Sequence, residues 1–376
     1  MLAEQKVQGR FAVRGSTTCC PPFQPRSFTS EGTASIFEID PINDLRWDNL
    51  VLSHPQSSVF QSTQWLKALQ SAYGYKPIAV TTCPPGVPLS NGLVFCHVKS
   101  RVTGERLVAL PFSDYCDPLL DNSEQFSALL RCMQQKLKDS KAYIELRPRT
   151  GNRYAENGFR RAAKYYAHAL DLRKNLTELF QGFHKDCVCR KIRRAEREKL
   201  TYLQGNSGDL LSDFYRMFVM TRRRHGLPPP PLSWFKEVVA CFGERSQVRV
   251  VYKQAEPVAS ILTLSHKKTL VYKYGCCNVD FNQLGGMALL FWTTIQQAKS
   301  AGFEQLDFGR SDVQHAGLIA FKERWGARRS EVDYWTYPYA ETSLPLYKVP
   351  IVKRITTMLP TVILRAVGTF LYKHIG

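Results

Sequence analysis

The stretch that decides the fold runs from Tyr272-Lys273-Tyr274-Gly275 through Gln283-Leu284-Gly285-Gly286-Met287-Ala288 and Leu306-Asp307-Phe308-Gly309-Arg310 to Phe321-Lys322-Glu323-Arg324-Trp325-Gly326. Residues 269–276 read as a strand, and the glycine-containing loop 283–288 runs into an apolar-periodic helix ending near Ala301. Gly302 turns the chain into a second strand over 305–308, and a further short helix carries Phe321 and Lys322. The order is strand, loop, helix, strand, helix. It sets backbone N–H groups at a helix start, where an anion is favoured, and glycine lets the backbone come close to such a ligand. Gln283, Gly285, Gly286 and Ala288 are therefore the candidate cofactor-loop residues.

Upstream of this stretch, residues 247–252 and 258–264 complete a three-stranded meander with 269–276. Helices are predicted over 210–224 and 234–242. The first of these ends in Arg222-Arg223-Arg224-His225, cations that suit the negative end of the helix dipole. Ahead of them lies a basic segment over 186–199. Its Arg190, Arg193, Arg194 and Arg197 share one helical face, with Lys191 beside them. A solvated face and a phosphate clamp both fit this pattern, arginine suiting the second through its bidentate fork.

The N-terminal half opens with a short strand over 36–39 and a helix signalled by Trp65, Leu66, Leu69 and Tyr73 before Gly74. Three strands follow over 77–83, 92–98 and 106–112. The last leads into Leu110-Pro111-Phe112-Ser113-Asp114-Tyr115-Cys116-Asp117-Pro118, two carboxylates three apart in a proline-bounded loop. Such a loop on a rigid strand end can hold a general base, with Asp117 the candidate, or the Asp side chains can simply bond backbone N–H groups in a turn. A helix over 126–137 and strands over 142–146 and 165–172 complete the half.

With 376 residues, 44% of them hydrophobic, the chain can bury two cores. The 51 Lys and Arg against 32 Asp and Glu give a net charge of +19 and call for an anionic partner. The 11 cysteines have no paired zinc spacing, and a reducing cytoplasm with free, core-packed thiols is expected. No metal is implied. Residues 1–35, rich in Gly, Pro, Ser and Thr, are expected to be disordered.

Several short motifs occur in a fixed order: Phe60-Gln61-x-x-x-Trp65, Pro111-x-x-Asp114-Tyr115-x-Asp117-Pro118, Arg190-Lys191-x-x-Arg194-Ala195-Glu196, Thr221-Arg222-x-x-His225-Gly226-x-Pro228, Tyr272-x-Tyr274-Gly275 and Phe321-Lys322-x-x-Trp325-Gly326. From about Phe60 to Tyr337 this set resembles the Fem-type transferases, tandem-GNAT proteins that include the peptidoglycan bridge aminoacyltransferases and relatives found with polysaccharide genes. The resemblance implies an α/β fold with mixed sheets, in two GNAT-like domains (36–172 and 173–340) around a cleft. It implies an N-acyltransferase acting on an amino group of a cell-envelope or exopolysaccharide precursor. Lys322, beside Phe321, would meet the oxyanion; Asp114, Tyr115 and Asp117 would lie at the acceptor. Arg222, His225, Tyr274 and Arg310 would line the substrate site. Arg190, Lys191, Arg193 and Arg194 would hold the pyrophosphate of a nucleotide- or lipid-linked sugar acceptor. The donor stays open. The 283–288 loop is similar to the acyl-CoA pyrophosphate loop of GNAT enzymes, whereas the Phe321-Lys322 pair and the basic segment match aminoacyl-tRNA users.

Beyond 340 the tail is apolar with Lys348, Lys353, Arg354, Arg365 and Lys373, and its uncharged run is too short to cross a bilayer. It suits an amphipathic helix at an anionic membrane surface, which would place the protein at the inner face of the plasma membrane, or docking on the protein's own surface, with Pro360 kinking either. Two other classes compete with the enzyme: a nucleic-acid-binding module using the basic face, and a non-catalytic scaffold docked on membrane.

Overall fold

Strands form at every position where alternation and turn residues called for them, and in the computed structural model they join one sheet. The structure describes residues 27–28, 35–100, 103–138, 140–149, 153–339 and 356–375. The strands are β1 (Ser27–Phe28), β2 (Ile36–Ile39), β3 (Lys76–Thr81), β4 (Leu93–Ser100), β5 (Gly104–Val108), β6 (Tyr143–Leu146) and β7 (Arg160–Asp171). They continue with β8 (Thr201–Gly205), β9 (Ser246–Lys253), β10 (Glu256–His266), β11 (Thr269–Cys277), β12 (Gln305–Asp312) and β13 (Arg328–Tyr337). The helices are α1 (Leu45–Ser53), α2 (Thr63–Tyr73), α3 (Ser123–Lys136), α4 (Arg153–Glu156), α5 (Leu176–Gly182) and α6 (Arg190–Arg197). After them come α7 (Gly208–Arg224), α8 (Leu232–Phe242), α9 (Gly286–Ser300), α10 (Ala316–Glu323) and α11 (Thr361–Tyr372).

The sheet order is β1-β2-β3-β4-β5-β6-β13-β7-β12-β11-β10-β9-β8. Leaving out β1, it reads the same from both ends: strand, meander, parallel partner, then a final strand. Each half ends by lending its last strand to the other. β13 pairs antiparallel with β6 and β7, and β7 with β12 and β13. This exchange ties the halves together through backbone hydrogen bonds, and a shared core reinforces it. Trp65 of α2 meets Trp234 of α8 edge to face, with centroids 5.1 Å apart.

Local chemistry accounts for the boundaries. The Ser62 side chain accepts from Trp65 N to start α2, and Gly74, at φ 73°, ends it. Five elements escape the periodicity reading: β1, α1, α4, α5 and β8. They are short, and α1 buries little beyond Trp47, Leu50 and Val51. β12 runs four residues past its expected end because a register shift between Asp307 and Arg310 lets it keep pairing with β7. Of the expected disordered N-terminus, Ser27–Phe28 pairs with Ile36 and Phe37, and nearly all the rest lies outside the described residues.

Candidate active site

The parallel strands β11 and β12 pair over only three positions, Thr269 to Val271 against Gln305 to Asp307, and then part. At the parting point β12 bulges, and Gly309 takes φ 66°. The loop after β5 in the other half reaches in here. Leu110 and Phe112 hold positive φ (64° and 59°), and Arg147 bonds the Leu110 carbonyl at 2.9 Å. That strain delivers Asp114 against Gly309, where a Cβ would lie 2.9 Å from Asp114 Oδ2. Any side chain at 309 would displace the carboxylate.

Asp114 Oδ2 is 3.1 Å from Lys273 Nζ, which also donates to the Phe112 carbonyl at 2.9 Å. Arg310 Nε is 3.8 Å from the other carboxylate oxygen. Its guanidinium lies 4.2 Å from the Tyr165 ring and 5.0 Å from the Tyr334 ring. Lys273 keeps 5% of its side-chain surface and Asp114 14%, while Arg310 keeps 32% and faces solvent most. On the same strand as Arg310, Asp307 accepts a short hydrogen bond from Tyr115, and its other oxygen accepts from Gly309 N at 2.7 Å. Burial pushes Asp307 above the usual carboxylate range, against those two hydrogen bonds.

Lys322 on α10 closes the cluster. It is 2% exposed and donates to the carbonyls of Gly309 and Arg310 at 2.8 and 3.0 Å. Burial pulls its pKa down to about 8; Asp114 and Asp307 resist the fall, and Lys273 and Arg310 add to it. An ammonium has three N–H donors, so these two carbonyls leave one N–H for a ligand. Buried His168 on β7 adds no charge, since burial and the positive charges of Lys322 and Arg329 push it down to about 4. Three cations thus meet two carboxylates at the junction of the halves, with Lys322 and the Lys273 side chain buried and Arg310 partly exposed.

The remaining predicted residues are engaged with other partners. Asp117 is bound by Arg149 at both oxygens, 2.8 Å from its backbone N and 2.6 Å from Nε, and Gln61 donates to its carbonyl at 2.6 Å. Arg222 bonds the Pro228 carbonyl and, at 2.8 Å, the Tyr372 hydroxyl. His225 caps α7 on the surface. The Tyr274 hydroxyl accepts from Trp234 Nε1 at 2.9 Å, inside an aromatic cluster with Phe218 and Phe235. The Phe321 ring packs against Phe291. On α6, Arg190, Lys191, Arg193 and Arg194 are all exposed, Arg194 paired with Glu198 and Arg190 loosely with Asp186.

The 283–288 loop, the candidate cofactor loop, packs closely on its neighbours at both glycines. Gly285, at φ 78°, lies against α6, and a Cβ there would fall 2.3 Å from the Lys191 carbonyl. A Cβ on Gly286 would fall 2.8 Å from Val258 Cγ2. Gln283 is exposed and Ala288 buried. The close approach that the glycines permit is made by the protein itself.

Sequence reasoning did not single out Lys273, Asp307, Tyr165 or Tyr334. A lysine between two tyrosines in an apolar strand and an aspartate inside Leu306-Asp307-Phe308 were the available signals. Among the described residues no group of His, Cys, Asp and Glu is placed to hold a metal, and the described cysteines are free.

A twice-repeated mixed sheet with exchanged final strands, and a charged cluster where the repeats meet, make a tandem α/β architecture with its candidate site at the junction. Residues 185–325 match the family model described as an acetyltransferase (GNAT) domain. The fold is that of the Fem-type proteins: a crystal structure of FemX superposes with TM-score 0.63 at 18% identity, covering 81% of this chain and 97% of that one. The C-terminal domain of a putative lysylphosphatidylglycerol synthetase from Agrobacterium fabrum superposes at 0.54 with 14% identity, covering 82% and 96%. A tandem GNAT protein from the clavulanic acid biosynthesis pathway superposes at 0.52 with 10% identity, covering 80% and 97%. No curated protein matches the chain by sequence.

Proposed function

We propose that this enzyme transfers an aminoacyl or acyl group to the amine of an anionic, nucleotide- or lipid-linked sugar precursor of the cell envelope. The observation that carries this reading is the buried Lys322 ammonium, held by two carbonyls beside Asp114, Lys273 and Arg310. The acceptor amine attacks the donor carbonyl, and the oxygen gains charge as the tetrahedral intermediate forms. Lys322 stabilises that charge from a buried position, where a fixed cation counts for more than it would in water. Asp114 takes the proton from the attacking nitrogen. The intermediate then collapses: the bond from the carbonyl carbon to the donor's leaving group (the tRNA ribose oxygen, or the sulfur of a thioester donor) breaks, and that group leaves with the proton. Arg310, stacked on two tyrosines and open to solvent, receives an anionic group of the acceptor.

The basic α6, against which the 283–288 loop packs, favours aminoacyl-tRNA as donor over acyl-CoA. The exposed arginines of α6 supply a surface for a polyanion. Calorimetric titration of the purified protein with CoA and with aminoacyl-tRNA tests the choice. Heat with CoA and none with tRNA would reverse it.

The two aspartates are expected to separate. Asp114→Asn should lower kcat by roughly 10²-fold, the usual scale for a lost acid–base group. Asp117→Asn should leave kcat within a few fold and lower stability by about 1–3 kcal/mol, because the buried Arg149 pairing is weakened. Steady-state kinetics beside urea denaturation checks both. A rate loss confined to Asp117→Asn would move the base to that residue.

A further inference from the structure

The C-terminal helix presents two unlike faces. Its inner face is docked. Leu364 is fully buried, and a Cβ on Gly368 would fall 2.0 Å from the Pro229 carbonyl. The carbonyls of Tyr372 and Lys373 accept from the Tyr75 hydroxyl at 3.2 and 3.1 Å, and the His374 carbonyl accepts from Thr103 Oγ1 at 2.7 Å. The contacts come from both halves: Tyr75 and Thr103 from one, Arg222 and Pro229 from the other. Pro360 caps α11, with Leu364 N donating to its carbonyl at 3.0 Å, instead of kinking it as expected. A residue without an N–H costs nothing where a helix begins.

The outer face is the unusual one. Val362, Ala366 and Phe370 follow one another at i, i+4 and i+8, so they form a single stripe along the helix, with Ile363 at its side. Val362 is 79% exposed and Phe370 59%, and Met358 and Ile375 are exposed before and after the helix. Lys373 lies on the same stripe, and from Thr342 to the last residue the chain has five lysines and arginines and no acidic residue. A surface helix normally turns this kind of face inward.

We propose that this outer face of α11 is a lipid-binding surface that lays the enzyme on an anionic membrane. The occupant is argued from charge and length together. Apolar side chains flanked by cations alone fit the boundary between acyl chains and anionic headgroups. Among the described residues no helix is long and apolar enough to cross a membrane, so α11 lies along the surface. The placement also serves the site: the Tyr372 ring packs 5.6 Å from Phe112, whose carbonyl accepts from Lys273. The docked face therefore anchors the helix two residues from Asp114, and a lipid-linked substrate would meet the enzyme on that side. The surface does not depend on the transfer chemistry proposed above.

The test is co-sedimentation of the full chain with vesicles of phosphatidylcholine, with and without phosphatidylglycerol. The wild type is expected to bind vesicles containing phosphatidylglycerol and to be weakened by salt. Val362→Asp with Phe370→Asp should lower that binding by at least roughly tenfold, since each replaced side chain forfeits its apolar burial. Lys373→Gln should lower it by about fivefold. Both variants change exposed side chains, and circular dichroism should show an unchanged fold. Absence of wild-type binding, or undiminished binding by the double variant, would overturn the proposal. So would light scattering that shows a dimer broken by the same two substitutions, because the face would then belong to a second copy of the chain.

Discussion

Lys322→Met is expected to lower kcat by about 10²- to 10³-fold, the scale of a lost oxyanion donor, with the acceptor KM within a few fold of wild type. The ammonium is already bonded to two carbonyls of its own chain, so the ground state of the substrate gains little from it. Its remaining donor acts on charge that exists only as the carbonyl is attacked, and such an interaction appears in kcat. The same residue sets a pH limb. Burial lowers the Lys322 pKa to about 8, so the rate should fall as pH rises past about 8 and the ammonium is lost. Stability moves the other way. Between about 8 and the ordinary lysine range the unfolded chain holds a proton that the folded chain has released, so unfolding free energy rises with pH across that window. The cost of the buried charge is present in full below it. Single-turnover rates across pH settle the matter: a variant with wild-type kcat and a raised KM would make Lys322 a binding residue, and an alkaline limb that survives in Lys322→Met would belong to another group.

Gly285→Val is expected to cost about 2–5 kcal/mol of stability, from a left-handed backbone that disfavours side chains and from overpacking against α6. A Cβ at this position meets the Lys191 carbonyl at 2.3 Å, a backbone atom that cannot rotate away. Gly286→Val should also destabilise, through Val258. A loop that existed to admit a pyrophosphate would behave differently: the same substitutions would abolish ligand binding and leave the fold intact. Urea denaturation of Gly285→Val, read beside titration with CoA, separates the two outcomes. A stable variant that has lost CoA binding would restore the loop to its sequence-level reading.

The motif order was enough to reach the fold class because each element announces itself locally. The meander over β9, β10 and β11 shows apolar runs between turn residues, and α7 carries Leu211, Phe214, Tyr215 and Phe218 on one side. Asp114, Arg310 and Lys322 were also legible, as polar residues in short motifs at element ends. Asp117 was legible as a carboxylate, and its partner was not: Arg149 lies 32 residues on, and nothing in the spacing pairs them.

What the sequence by itself determined is the set of elements, their order in two similar halves, and a short roster of residues suited to handling a charged intermediate. Only the tertiary structure decided which of them meet. β13 slots between β6 and β7, a pairing across nearly the whole second half that no local pattern encodes. That exchange, with the Asp114 loop reaching across to β11 and β12, is what sets Asp114 beside Lys273 and Arg310. The glycines of the 283–288 loop show the same limit from the other side. A sequence reports that the backbone can come close to something at Gly285, and the packing of α6 decides that the something is the Lys191 carbonyl. Local propensity is written in neighbouring residues, whereas burial of a charge and the filling of a gap depend on chain segments that only folding brings together.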